Sequence, residues 1–488
     1  MKKLSIAIIT IAVLSNISCK KFLEERSQSD IIPTTVMDFG DILATGGYPN
    51  GIKLMPHLNL MTDDVEYYAS IAPNPGDEAF YVNYPAFQWQ PDFIDACRQS
   101  MSPNVNDFDS WSVFYSKLMR VNVVLQYIDG AIGDAKERDK VKGEALALRA
   151  WYYFLLVNLY AHPYNDPAVD PATSPGVPLK LDGNVIEETI VRSSVKEVYD
   201  QIGKDLEQAI ALLERDDRIG SNLFMDDVAA HLLASRVALY KEDWEAVVRH
   251  ADYVLERHPQ LADLNNGITT SIVHRDNAET IWAYGNHRVT DIMGVTLVAD
   301  FSHDLANTFD EKDLRSQYYY YYFPPEMKPF ITVDYGINKY VESQWYLTWR
   351  SSEAYLNRAE AKIQLFRKKG DAAGAQQALS DLNTLRQHRF APADFVPWAM
   401  DTGDQLLKMC REERRRELCF EEGHRWFDLR RYGMPEIRHV YAYAPGRTDI
   451  YVLKARDPQY TLPIPLEVLQ RNRALQQNPQ ISGARKPE

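Results

Sequence analysis

The sequence is poor in cysteine, with four in 488 residues: Cys19, Cys97, Cys410 and Cys419. Cys19 belongs to the leader described below, and the odd number left over builds no disulfide framework. Cys410 and Cys419 are spaced to fall on opposite sides of one helix, so they read as small buried hydrophobes. Positive charge is also short, with 54 Lys and Arg against 68 Asp and Glu and a net charge of -14. Phosphate backbones need a basic patch, so nucleic acid is excluded as the main partner, whereas neutral sugars and peptides are not. No later segment has an uninterrupted apolar run of about 18 residues, so no transmembrane helix is expected. GxSxG, HExxH, P-loop and CxxC patterns are all missing. His57, His287 and His303 lack any ligand-like spacing, so neither a metal nor a cofactor is expected. The adjacent pair Asp63 and Asp64 does not set the separation of about 5–9.5 Å that glycosidase carboxylates need. No residue is therefore assigned a catalytic role, and an enzyme is not expected.

Apolar residues, by contrast, make up 45% of the chain, and there are 29 Tyr, 18 Phe and 9 Trp. At the N-terminus, Lys2 and Lys3 precede an apolar run over residues 4–14, and small and polar residues lead to Cys19. This is a secretory signal over residues 1–18, in the pattern of a bacterial lipoprotein site, although Asn16 stands where an apolar residue is usual. A lipidated Cys19 anchors the chain firmly to a membrane face, because several acyl chains insert together. Residues 19–35 read as a polar tether, and 36–488 as one domain.

Apolar spacing predicts helices over residues 109–129, 139–161, 194–214, 226–241, 243–258, 351–368, 371–387 and 404–422. The second has hardly a polar face in its later half and is expected to be buried all round. The pairs 226–258 and 351–387 resemble tetratricopeptide hairpins, which must stack on neighbours to bury their apolar faces. Two long stretches, residues 62–95 and 265–345, carry many aromatics among Pro, Gly and Asn, and read as loops. Their length and aromatic content point to function rather than disorder.

The stretch from Arg411 to Arg431, REERRRELCFEEGHRWFDLRR, contains seven consecutive charges and no lysine. On a helix Glu412 reaches Arg415 and Arg416, Glu413 reaches Arg416, Arg414 reaches Glu417, and Glu421 reaches Arg425 if the helix passes Gly423. Exposed, each pair is worth only about 0.2–0.5 kcal/mol. Arginine's planar fork suits buried carboxylates, so a partly buried network that clamps helices is expected, with Trp426 and Phe427 as its packing anchor.

The segments AYLNRAEAKIQL, EERRRELCFEEGHRWFDLRR and LPIPLEVLQRNRALQQNP resemble the C-terminal signatures of the SusD/RagB family. WSVFYSKLMRVNVVLQYID followed by KGEALALRAWYYFLLVNLYA is similar to its N-terminal helical pair. The resemblance spans nearly the whole mature chain in family order. It implies a mainly α fold, in which tetratricopeptide-like hairpins form a right-handed superhelical scaffold covered by a loop-rich half. The scaffold maps to 109–260 and 346–430, the aromatic loops to 62–95 and 265–345, and the tail to 432–488. The resemblance further implies a Bacteroidetes outer-membrane lipoprotein, surface-exposed and partnered with a TonB-dependent transporter of the SusC/RagA type. Such proteins capture oligosaccharides, or in some cases peptides. A tetratricopeptide envelope adaptor without a ligand is the rival reading.

Sugars present apolar C–H faces and hydroxyl edges, so Trp and Tyr platforms in the loops are the candidate ligand residues. They are Tyr67, Tyr81, Tyr84 and Trp89 in the first loop, and Tyr284, Tyr319, Tyr320 and Tyr321 in the second. Trp89 reads more readily as core than as platform. If residues 318–322 form a strand, alternate tyrosines face opposite sides. Trp345 and Trp349 read as packing residues.

Overall fold

A computed structural model describes residues 33–488 apart from 50–53, 69–82, 101–108, 186–189, 217–219, 269, 289–298, 325–334, 340–343 and 445. The leader, Cys19 and nearly all of the tether lie outside the described residues. The elements run in order α1 (Val36–Ile42), β1 (Val65–Tyr68), α2 (Phe93–Ser100), α3 (Ser110–Tyr127) and α4 (Ala135–Tyr160). Next come α5 (Val195–Leu213), α6 (Asp227–Lys241), α7 (Trp244–Arg257), β2 (Thr280–Arg288), β3 (Asp300–Phe301) and α8 (His303–Ala306). Then follow β4 (Tyr320–Tyr322), β5 (Tyr335–Ile337), β6 (Gln344–Arg350), α9 (Ser351–Lys369) and α10 (Ala372–Gln387). The chain ends with α11 (Gly403–Leu418), α12 (His424–Arg431), β7 (Ile437–Ala444), β8 (Arg447–Leu453) and α13 (Leu466–Arg471).

The long helices start where a short polar side chain takes up an orphan backbone N–H. Asp109, Asp134, Asp226, Asp243, Asp371 and Thr402 each accept from the third residue on. Ser194 and Glu197 form a reciprocal capping box on α5. Helix α4 is buried on every face from Val141 onward except at Lys142, as its apolar run predicts. Helices α3, α5 and α6 pack around α4, and α6–α7 and α9–α10 form hairpins that lie against each other. The result is mainly helical, with short strands.

The C-terminal charged stretch departs from the expected single helix. Helix α11 stops at Leu418, because Phe420, Glu422 and Gly423 all take the left-handed region, at φ 63, 47 and 70°. Only glycine fits at 423, where a Cβ would meet Leu58 Cδ1 at 2.5 Å. The turn redirects the charges. Glu421 binds Arg350 and Lys339 rather than Arg425, and Arg414 binds Asp428 rather than Glu417. The expected Glu413–Arg416 pair is present at 2.8 Å.

The clamp is a buried network. Glu417 accepts from Arg350 Nη1 and Arg389 Nη2 at 2.9 Å and from Arg315 Nη1 at 3.0 Å, with all four residues almost wholly buried. Arg350 and Arg389 also hold Glu279, each at 2.5 Å. Arg315 also holds Asp313 at 2.7 Å and Glu413 at 2.9 Å. Burial alone would raise the carboxyl of Glu417, yet Arg389 and Arg350 keep it well below the usual range. Glu413 is held down to about 2, since Arg315 and Arg416 outweigh burial.

Removing one partner of such a network strands a buried charge, so Arg350→Ala is expected to cost about 3–5 kcal/mol in urea unfolding. A loss within the range of surface substitutions would show that the network is solvated. The unfolded chain protonates Glu413 near 4.5, whereas the folded chain keeps it ionised down to about 2. The unfolded state thus binds more protons in that window. Stability should be complete above pH 4.5 and fall as pH drops toward 2, with a shallower fall in Glu413→Gln. Melting curves across this range check it.

Candidate ligand-binding site

The two aromatic stretches, far apart in sequence, meet in one sheet of strand order β3-β1-β7-β8. Strand β1, VEYY, combines β-branched and aromatic residues that suit a half-buried strand. It pairs antiparallel with β3 (Val65 with Phe301, Glu66 with Asp300) and parallel with β7 (Tyr67 with Tyr441). Strand alternation then separates its two tyrosines. Tyr67 turns inward and stacks on Tyr441 at 5.6 Å, while Tyr68 meets His303 at 6.2 Å.

From Tyr68 a row of rings continues outward. His303 lies 5.3 Å from Tyr335, which lies 5.4 Å from Tyr320 and 5.6 Å from Tyr322. Strands β4 and β5 make this possible by pairing Tyr322 directly with Tyr335. Tyr68, His303, Tyr320 and Tyr335 are half-buried, and Tyr322 is 56% exposed. His303 Nδ1 bonds the Glu66 carboxylate, which holds the imidazole in the row. The Asp300 carboxylate accepts the Tyr68 N–H at 3.0 Å. Burial, then the neighbouring Tyr335, pushes the Tyr320 hydroxyl up to about 12, so it keeps its proton at neutral pH. The row offers half-exposed ring faces with hydroxyl and carboxylate groups along its edge. That combination can stack on the C–H face of a pyranose and hydrogen-bond its rim.

Of the predicted residues, Tyr320 belongs to this ridge. Tyr321 points to the other side of β4, 44% exposed, beside a cavity of about 250 Å³ that Tyr318 and Asn338 also line. Four of the others are corrections. Trp89 is fully buried, with its Nε1 donating to Met61 O at 2.9 Å and its ring stacked on His439 at 4.0 Å. Tyr284 is buried on Trp282 at 4.6 Å, beside Trp151. Tyr319 is enclosed under the Lys339 ammonium, 4.1 Å from its ring centre. Tyr67 packs inward as described. None of these four presents a face to a ligand, because each is sealed by core partners. Tyr84 is half-buried and donates to the Tyr451 hydroxyl at 3.0 Å. Tyr81 lies outside the described residues. Trp349 is core, as expected.

The ridge members that sequence reasoning passed over are Tyr68, His303, Tyr322 and Tyr335. Alternation carried a usable signal for two of them. Tyr68 is the outward neighbour of Tyr67, and Tyr322 shares a face with Tyr320. Nothing local marks His303 or Tyr335, whose place is set by β3 and β5 pairing. Asp63 and Asp64 are held by arginines, with Arg425 on Asp63 at 2.6 Å and Arg415 on Asp64 at 2.7 Å. Trp89→Ala is expected to cost about 3–5 kcal/mol of stability, whereas Tyr322→Ala should stay within about 0.5 kcal/mol. Chemical denaturation of the two variants compares them directly.

Two family models match the chain. One, described as starch-binding and associating with the outer membrane, matches residues 21–239, and the SusD family model matches residues 281–480. No curated protein sequence matches. Among solved structures, a SusD superfamily protein from Bacteroides thetaiotaomicron is similar with TM-score 0.70 and 22% identity, covering 92% of this chain and 100% of that one. A SusD-like carbohydrate binding protein from Bacteroides vulgatus is similar with TM-score 0.66 and 19% identity, covering 91% and 97%. A laminarin-binding SusD-like protein is similar with TM-score 0.61 and 19% identity, covering 91% and 98%. With both models matched in order along most of its length and the same fold throughout, the chain belongs to the SusD/RagB family.

Proposed function

We propose that this protein captures oligosaccharides at the cell surface and hands them to a SusC/RagA-type TonB-dependent transporter in the outer membrane. The observation that carries the reading is the ridge of Tyr68, His303, Tyr335 and Tyr322, built where both aromatic loops converge. A row of ring faces suits the apolar C–H faces of successive sugar units. Family membership supports the reading, since one of the two matching models is described as starch-binding and associating with the outer membrane. The laminarin-binding neighbour supports a glucan-type ligand on this fold. The leader supports an anchor, because Cys19 is spaced for lipidation, and no described helix is long and apolar enough to cross a membrane. Capture without chemistry fits the tying of Asp63 and Asp64 to Arg425 and Arg415.

Purified protein without residues 1–19 should bind members of a panel of laminari-, malto- and other oligosaccharides in calorimetry and leave them intact. Tyr322→Ala and Tyr335→Ala should each weaken binding by about tenfold or more, in line with about 1–3 kcal/mol for a lost stacking face. Binding by peptides alone, or release of shorter sugars from the panel, would overturn the proposal. Mild-detergent purification of the full chain should bring the transporter with it.

A further inference from the structure

A groove of about 460 Å³ runs along the outward face of α11, past Asp404, Lys408, Arg411 and Arg415 at helical spacing. Asp304 of α8 and Arg425 and Tyr432 at the two ends of α12 form its other wall. His303 of the ridge and Asp304 of the groove are consecutive residues, so the ridge and the groove meet at α8.

Most of the charges in the groove are already matched. Arg415 donates to Asp304 at 2.7 Å, Arg425 to Asp63 at 2.6 Å, and Arg367 to Asp404 at 2.7 Å. Arg411 has a loose ion pair with Glu360 but makes no hydrogen bond among the described residues. Its guanidinium lies over the Tyr432 ring, 3.9 Å from the centroid. The nearest carboxylate, Glu360, stands 3.5 Å from its Nε. That carboxylate already has both oxygens on Arg431, each at 2.7 Å. Arg411 Nε is buried with no hydrogen-bond partner, and among the described residues no acceptor takes its Nη hydrogens. A third of the side chain is open, at 33% exposure.

A guanidinium held over a ring, with its fork unengaged, is a preorganised receptor for a two-oxygen anion. The groove's four cations, Lys408, Arg411, Arg415 and Arg425, stand against three lining carboxylates, Asp304, Asp404 and Glu412, in a chain that is acidic overall. A uronic acid carries its carboxylate on the ring edge, so in an oligosaccharide lying along ridge and groove one unit can stack on the rings while the carboxylate of another reaches Arg411. We propose that the groove binds the carboxylate of an acidic sugar, which makes the captured ligand a uronate-containing oligosaccharide. This inference rests on the glycan-capture reading.

The test compares galacturonate and guluronate tetrasaccharides with their carboxyl-reduced neutral forms, by calorimetry at low and physiological ionic strength. At least one uronate is expected to bind about tenfold or more tighter than its reduced form, with the gap narrowing as salt rises. Arg411→Gln should erase the gap and leave the reduced form's affinity unchanged, and Arg411→Lys should restore part of it. Equal affinity for charged and reduced forms in the wild type, or a gap that survives Arg411→Gln, would overturn the proposal. Tighter binding of a sulfated tetrasaccharide would overturn the carboxylate in favour of a sulfate ester. Binding of neutral laminari- or malto-oligosaccharides with none of the uronates removes this inference and leaves capture standing. Binding of no glycan at all removes both.

Discussion

Three arginines converge on the carboxylate of Glu417, and much of the molecule is positioned by that meeting. Arg315 comes from the loop-rich half, Arg350 from the end of β6, and Arg389 from the turn after α10. Glu279, just before β2, closes the circuit through Arg350 and Arg389. Each of these charges is costly to bury alone, because water solvates ions far better than protein does. Together they are neutralised and hydrogen-bonded, so the arrangement tolerates little displacement. Arginine is suited to this because one planar fork spans several carboxylates. Arg350 alone reaches Glu279, Glu417 and Glu421. The cost of dismantling the network is what holds the strand-and-loop half at a set place on the helices.

A second tier of pairs carries that order outward to the aromatic ridge. Arg415 and Arg425 hold Asp63 and Asp64, immediately before β1. Ser302, at the start of α8, donates to Asp63 O at 2.8 Å, and His303 follows it in the ridge. The charged helix α11 therefore has two faces with different work. Its inner face, with Glu413, Arg414 and Glu417 almost fully buried, clamps the fold. Its outer face, with Arg411 on Tyr432, borders the groove beside the ridge.

The helical half was largely legible from the chain. Apolar spacing and capping residues located the long helices to within a few residues, since both signals are local. The run ending in Tyr160 announced a helix buried all round, and the hairpin over 226–258 announced itself by its short turn. The loop-rich half was legible only as composition. Strands β1, β3, β4 and β5 are two to four residues long, too short for a periodic signal, and the hairpin β7–β8 was not anticipated. The aromatic residues were visible, but not which of them face out. Tyr284 and Tyr319 look like platforms in the sequence and are core in the fold, because partners remote in sequence close over them.

By itself, the sequence determined the family, the helical scaffold, the acidic charge balance and the presence of an arginine–glutamate clamp. These rest on local spacing and on residue types, which a linear chain displays directly. Apart from the local Glu413–Arg416 pair, tertiary structure alone decided which carboxylate each arginine of the clamp holds. It also decided where α11 breaks, and which tyrosines join His303 in a ridge. The reason is that ion pairs and ring contacts depend on distance in space. Left-handed residues at 420, 422 and 423 turn Glu421 away from Arg425 and toward Arg350 and Lys339, about 70 and 80 residues away. Strand pairing between segments more than 230 residues apart brings two separate loops to one surface.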